Sequence, residues 1–318
     1  MREATKIRVV AARSWAVQTA MPGSVGLALT CFAVMFMLVG PAGAETPIER
    51  GGYLVNTILA CGNCHTPKTA NGLAIVEKEL SGGGLSFTTP AFSATASNIT
   101  PDRETGIGDW SDLDIKRALT EGVRPAHGRM PGAPLAAVMP VGFYKALLPR
   151  DLDAIIAYLR SVKPVRNEVR DPQYTAPVRR DPYPDAEAGF NEASLRDPVG
   201  RGAYLVTIGH CMECHSVWRR GVSDFKSGLG GGGRPFGPTL VQGFATGWQG
   251  STAPNITSHP VKGIGGRSDA EIERAITQGL GRDGGALKPP MPFAWYAGLT
   301  EADLQAIVAW LRTVPPLE

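Results

Sequence analysis

Nowhere in the 318 residues do like charges gather into a block. The net charge of +3 disappears once the first 44 residues are set aside, because it equals Arg2, Lys6, Arg8 and Arg13 less Glu3. A neutral body offers nothing to a polyanion, so nucleic acid is excluded as a partner. Long apolar runs are missing too: the run from Gly26 to Val39 is shorter than a comfortable membrane span. Cysteine is scarce, five in all, and Cys31 sits inside that apolar run. The other four fall in two short motifs, which leaves none for a disulfide.

The leader carries Arg2, Lys6, Arg8 and Arg13, then the apolar run, then Ala42-Gly43-Ala44 before Glu45. That order reads as a signal peptide over residues 1–44 with a small-residue cleavage site, and it places the mature chain in an oxidising compartment. Glycine and proline, by contrast, are abundant at 39 and 26, which suits small helical domains with long turns wrapped round a cofactor.

The four remaining cysteines form Cys61-Gly62-Asn63-Cys64-His65 and Cys211-Met212-Glu213-Cys214-His215. Cys-x-x-Cys-His is the spacing of covalent haem attachment: both thiols add to one porphyrin and the adjacent imidazole is carried under the iron. A zinc site or a redox dithiol would use the same cysteines, but neither requires a histidine directly after the second one. Two copies therefore predict two covalently bound haem c groups.

The repeat extends beyond the motifs. Arg50-Gly51-Gly52-Tyr53-Leu54-Val55 precedes the first and Arg201-Gly202-Ala203-Tyr204-Leu205-Val206 the second. Asn98-Ile99-Thr100 returns as Asn255-Ile256-Thr257, each followed by Gly-Ile-Gly. Self-similarity of this length means duplicated domains, expected at 45–163 and 197–318, with a Pro/Arg/Asp-rich linker at 164–196 that runs extended along the surface. Three helices are expected per copy. The first holds the Tyr-Leu-Val and runs into the haem motif. The second starts at Ser111 or Ser268 with an acid three residues on, and ends near Gly122 or Gly279. The third buries Leu152, Ile155, Ile156 and Leu159, matched by Leu304, Ile307, Val308 and Leu311. Thr300 and Asp303 read as a capping box for the last of these. Tyr158 and Trp310 are expected to pack where the first helix presents its glycine.

What fills the second axial position decides between carrying electrons and chemistry on a small molecule. Met139-Pro140 and Met291-Pro292 lie 19 residues before Tyr158 and Trp310, in register with each other. They are preferred as iron ligands opposite His65 and His215. Met130 has no counterpart in the second copy, nor has His127; His210 lies too close to its attachment point, and His259 falls in a variant loop. Histidine with methionine gives a six-coordinate iron that relays electrons, so the chain alone is not expected to be an enzyme. A dihaem peroxidase, which needs an open iron, and a free soluble shuttle are the alternatives.

Arg-Gly-x-Tyr-Leu before Cys-x-x-Cys-His, then Asn98-Ile99-Thr100-Pro101-Asp102, Thr105 to Asp112, and Met-Pro before the Leu-x-Ala-Ile-x-Ala-Tyr-Leu helix resemble the cytochrome c subunits of bacterial periplasmic membrane-associated dehydrogenases, over nearly all of 49–316. The resemblance implies an all-α fold of two tandem class-I cytochrome c domains. It assigns Cys61, Cys64, His65 and Met139 to one haem and Cys211, Cys214, His215 and Met291 to the other. It also implies a periplasmic location, a dehydrogenase catalytic subunit as electron donor, and quinone or a terminal oxidase as acceptor, with peripheral membrane association. The second copy reads Ser258-His259-Pro260 where the first has Pro101-Asp102, so that loop is expected to face a different partner.

Overall fold

The computed structural model describes residues 45–318, so the leader, its cleavage site and Cys31 lie outside the described residues. Thr46 opens α1 (Pro47–Asn56) through a reciprocal capping box with Glu49, and proline occupies the first turn, where no hydrogen bond is lost. α2 (Cys61–His65) is a single turn carrying the first motif. The chain does not run straight from one to the other as expected. Ala60 sits in the left-handed region, φ 45°, and re-aims the motif; His210 does the same at φ 44° before the second motif.

A hairpin of β1 (Ser86–Thr88) and β2 (Phe92–Thr95) follows, then α3 (Asp112–Thr120), α4 (Val141–Tyr144) and α5 (Pro149–Ser161). The connecting segment contributes β3 (Gln173–Tyr174) and α6 (Pro184–Ala188). The second copy repeats the order with α7 (Pro198–Ile208) and α8 (Cys211–His215). Its loops add a hairpin, β4 (Val217–Arg219) and β5 (Val222–Asp224), and the strands β6 (Pro235–Phe236), β7 (Val241–Gln242) and β8 (Ser251–Thr252). α9 (Asp269–Gln278), α10 (Phe293–Tyr296) and α11 (Glu301–Leu311) close the chain.

The all-α expectation is therefore corrected. Among the described residues, eleven α-helices share the chain with eight short strands in three antiparallel sheets. The largest sheet has the order β3-β2-β1-β7, with Phe87 opposite Ala94 on one side and Val241 on the other. Its strands come from the first copy, the connecting segment and the second copy, so loop backbone that would otherwise need water is satisfied by pairing. The linker is accordingly structured: Tyr183 is 1% exposed, stacked on Phe143 at 4.8 Å and edge-on to Phe225 at 5.2 Å.

The core is helical. α1 packs on α5, α7 packs on α11, and one continuous apolar cluster joins both pairs, from Leu54 and Ile155 to Leu205 and Ile307. The approach is close because the helices meet at glycine. A Cβ on Gly51 would stand 1.9 Å from Ala154 O and one on Gly202 2.0 Å from Ala306 O, with Tyr158 and Trp310 flanking, as the sequence suggested. Gly202→Ala should force the two helices apart and cost about 1–3 kcal/mol, the usual penalty for overpacking. Chemical denaturation of the variant measures this, and a midpoint equal to the parent's would show that α7 and α11 separate freely.

Ser111 and Ser268 cap α3 and α9 in reciprocal boxes with Asp114 and Glu271, and Gly279 ends α9 in the left-handed conformation. Thr300 caps α11 by accepting from Asp303 N, but the expected return bond is missing. Asp303 is 1% exposed and its carboxylate is used elsewhere: Oδ1 accepts from Arg201 and Oδ2 from Tyr53 of the other copy at 2.5 Å. The first copy mirrors this. Asp151 is fully buried, takes Arg50 Nε and Nη2 at 2.9 Å each, and accepts from Tyr204 of the second copy at 2.6 Å. Each Arg-Gly-x-Tyr motif thus places its arginine on its own copy's aspartate and its tyrosine on the other's.

Candidate functional site

The two attachment turns, α2 and α8, open onto a cavity of about 1660 Å³. Cys61, Cys64, His65 and Met139 line it, and so do Cys211, Cys214, His215 and Met291. All eight residues singled out from the sequence are brought to this one space. Met130 is not among the lining residues.

Each histidine is oriented from behind. His65 Nδ1–H donates to Ser97 O at 2.6 Å and His215 Nδ1–H to Pro254 O at 2.9 Å. A carbonyl only accepts, so the proton is on Nδ1 and Nε2 is left as a free donor of an electron pair. That is the tautomer a metal takes, and the back-bond fixes the ring plane. Burial lowers both imidazole pKa values, only partly opposed by these hydrogen bonds, which keeps the rings neutral.

The carbonyls are themselves placed by the repeated Asn-Ile-Thr, whose role sequence reasoning missed. Asn98 Oδ1 accepts from Thr100 N and Oγ1 at 2.9 and 2.7 Å, and its amide donates to Val165 O at 2.7 Å. Asn255 makes the same two bonds with Thr257 at the same distances, and donates to Leu317 O at 2.9 Å. The Gly-Ile-Gly that follows must pass close beneath: a Cβ on Gly106 or Gly263 would lie 2.2 Å from the carbonyl of Thr100 or Thr257. The intervening Ile107 and Ile264 are buried and line the cavity. Repetition alone marked this stretch, but only the coordinates show that it is the support of the histidine.

The cysteines make no disulfide. Burial pushes the thiols up, to about 12 for Cys61, Cys211 and Cys214 and about 11 for Cys64. A redox dithiol needs the opposite shift. Nor do the four converge: among the described residues no group of three or more histidine, cysteine, aspartate or glutamate side chains could hold a metal ion, so a four-cysteine zinc site is not assembled. What is assembled, in each copy, is a thiol pair, a neutral imidazole with Nε2 free, and a thioether on an apolar wall. This donor set fits an iron porphyrin held through its edge, with nitrogen and sulfur to ligate the metal.

Two further tyrosines were not foreseen. Tyr144 and Tyr296 each lie five residues after a cavity methionine, are 3% and 5% exposed, and line the same cavity. The copies differ in charge. Glu213, inside the second motif, pairs with His210 at 3.2 Å and Arg234 at 3.6 Å. Burial would raise its pKa, but these partners outweigh that and hold it below the ordinary value. In the first motif the same place is Asn63, whose amide donates to Pro290 O at 3.2 Å, directly before Met291. His127 lines the cavity but faces Asp114 at 3.5 Å and is more than half exposed. His259 Nδ1 accepts from the backbone of Val261 and Lys262.

Residues 199–315 match the family described as cytochrome c. Over 307 residues the chain is 30% identical to the alcohol dehydrogenase (quinone) cytochrome c subunit of Gluconacetobacter polyoxogenes, covering 90% of this chain and 61% of that protein. It is 29% identical to the fructose dehydrogenase cytochrome subunit of Gluconobacter japonicus, covering 86% and 54%. A protein named diheme cytochrome c-type from Cereibacter sphaeroides is 26% identical, covering 81% and 83%. The chain thus spans less than two thirds of the dehydrogenase subunits it matches.

Proposed function

Since the chain belongs with the cytochrome c subunits of dehydrogenases, we propose that it is an exported, periplasmic two-haem electron carrier. It takes electrons from a dehydrogenase catalytic subunit and passes them towards quinone or a terminal oxidase. Each repeat, 45–163 and 197–318, forms one haem lobe. Cys61 and Cys64 attach the first porphyrin, with His65 and Met139 as its axial ligands; Cys211, Cys214, His215 and Met291 serve the second.

The observation that carries this reading is the doubled, carbonyl-oriented imidazole, each beside its own thiol pair and sharing a cavity with an in-register methionine. The cavity exceeds the roughly 300–1,000 Å³ of a single small-molecule site, which supports more than one bulky group. Haem c, when bound, supplies a one-electron couple; the chain's part is to exclude water, fix both axial groups and present the edge to partners. Among the described residues no helix is long and apolar enough to cross a membrane.

The test is stoichiometry. The protein exported with the haem-attachment machinery should carry two thioether-bound porphyrins per chain, measured as the pyridine haemochrome against protein mass. Cys61→Ser with Cys64→Ser should lower this to one, and so should the pair at 211 and 214. Co-purification with a flavin, quinone-cofactor or molybdenum dehydrogenase subunit that reduces it would establish the donor. A single porphyrin in the parent, or peroxide turnover by the chain alone, would overturn the reading.

A further inference from the structure

Two half-buried arginines on the wall of the first lobe make no ion pair among the described residues. Arg180, in the connecting segment, is half-buried and lines the cavity. Its Nη2 donates to Leu135 O at 2.6 Å, while its Nε is buried and meets no acceptor. Arg124, also half-buried and cavity-lining, donates Nη1 to Pro134 O at 2.8 Å. Among the described residues neither has a carboxylate within ion-pair distance. The two guanidinium groups are therefore held on consecutive carbonyls of the loop that leads to Met139.

A cation drawn away from water favours an anionic partner, the more so when one of its donors is left without an acceptor. The planar fork of arginine is shaped for a carboxylate. Here the chain supplies the cations and the loop that fixes them, while the carboxylates that line the same cavity, Glu104, Asp109, Asp171 and Asp181, pair with neither among the described residues. The porphyrin that fits this lobe carries two carboxylates on its propionate arms. We propose that Arg124 and Arg180 form a carboxylate-binding pair for the propionates of the porphyrin attached at Cys61 and Cys64. The assignment rests on the two-haem reading above.

The pair belongs to the first lobe alone. Matching Gly122 to Gly279 sets Arg124 against Gly281, and Arg180 lies in the segment between the repeats. In the second lobe the half-buried Arg234 already faces Glu213 and covers the Trp218 and Phe236 rings, at 4.3 and 5.2 Å, and Arg267 lines the cavity as a single half-buried cation, in the place that Trp110 takes in the first copy. The linker thereby becomes part of one haem site and makes the two sites electrostatically unequal.

A cation beside a haem stabilises the reduced, more negative state, so its removal lowers the potential. Arg180→Gln in the full haem-loaded chain should move one of two one-electron waves to lower potential in a spectroelectrochemical titration, leaving the other in place. Arg124→Gln should move the same wave, and Arg180→Lys should restore most of the loss. Tyr174→Phe is the control, because it removes a 2.7 Å bond to the same Pro134 carbonyl without removing charge. The assignment is overturned if neither wave moves, if Tyr174→Phe moves one as far, or if the shift comes with loss of the sulfur-to-iron band, which would make the arginines supports of the Met139 loop. Porphyrin attached only at Cys211 and Cys214 overturns it as well. Attachment only at Cys61 and Cys64 sinks the two-haem reading instead and leaves one wave on which Arg180→Gln still decides.

Discussion

Asp151→Ala is expected to cost roughly 3–5 kcal/mol of stability, the range for stripping one partner from a buried ion pair. The carboxylate is fully buried and receives a two-pronged bond from Arg50 and the Tyr204 hydroxyl from the other repeat. Removing it strands a mostly buried cation and a buried phenol. For a unit of this size the melting temperature should fall by roughly 6–10 °C, read from loss of helical circular dichroism. Tyr204→Phe removes the bond to the carboxylate and a longer one from Leu148 N, and should cost roughly 2 kcal/mol. A loss for Asp151→Ala as small as that of Tyr204→Phe would mean the site admits water and the pairing is not what joins the repeats.

The same carboxylate gives a pH signature. Burial acts to raise its pKa, but the bond and charge of Arg50 outweigh burial and hold it below the ordinary carboxylate value. A group depressed in the folded state stabilises above its unfolded pKa, about 3.9 for aspartate, and that stabilisation is lost as pH falls through the lower folded value. Asp151→Ala should therefore flatten the acid limb of the stability curve below about pH 4 while leaving its shape around neutral pH unchanged.

Met139→Ala should have the largest effect on redox behaviour. On the ligation proposed above, loss of the thioether would leave one iron with its imidazole alone, so that its potential should fall and carbon monoxide should bind. About half of the weak far-red sulfur-to-iron absorbance should disappear, and Met291→Ala should remove the other half. Met130→Ala should change neither, since Met130 is not among the residues that line the cavity. If Met130→Ala instead removes part of the band and Met139→Ala spares it, the register linking the two repeats is misread.

That the cysteines, histidines and methionines would share one cavity was legible because Cys-x-x-Cys-His is a contiguous motif, and because duplication let one copy check the other. The helix starts at Ser111 and Ser268 and the glycine contacts of Gly51 and Gly202 followed from local rules. The strands did not. They are two to four residues long, too short for any period, and β1 finds its second partner in Val241, across the whole linker. Periodicity showed only the three helices of each copy, and the resemblance that implied a purely helical chain went uncorrected. The support of each histidine was hidden for another reason: it is a backbone carbonyl, Ser97 or Pro254, and carries no side-chain signature. Asp303 misled as a helix cap because sequence spacing cannot show that Arg201 and Tyr53 claim its oxygens.

The exchanged hydroxyls have a consequence for how such a chain can be assembled. Tyr53 reaches Asp303 and Tyr204 reaches Asp151, so each half offers the other the same pair of groups it receives. That is the signature of an isologous interface, the kind formed by two identical subunits about a two-fold axis. The tether between the halves fuses what is geometrically a dimer of like parts. Either half, released from the tether, still owns a complete set of matching groups with which to find a twin.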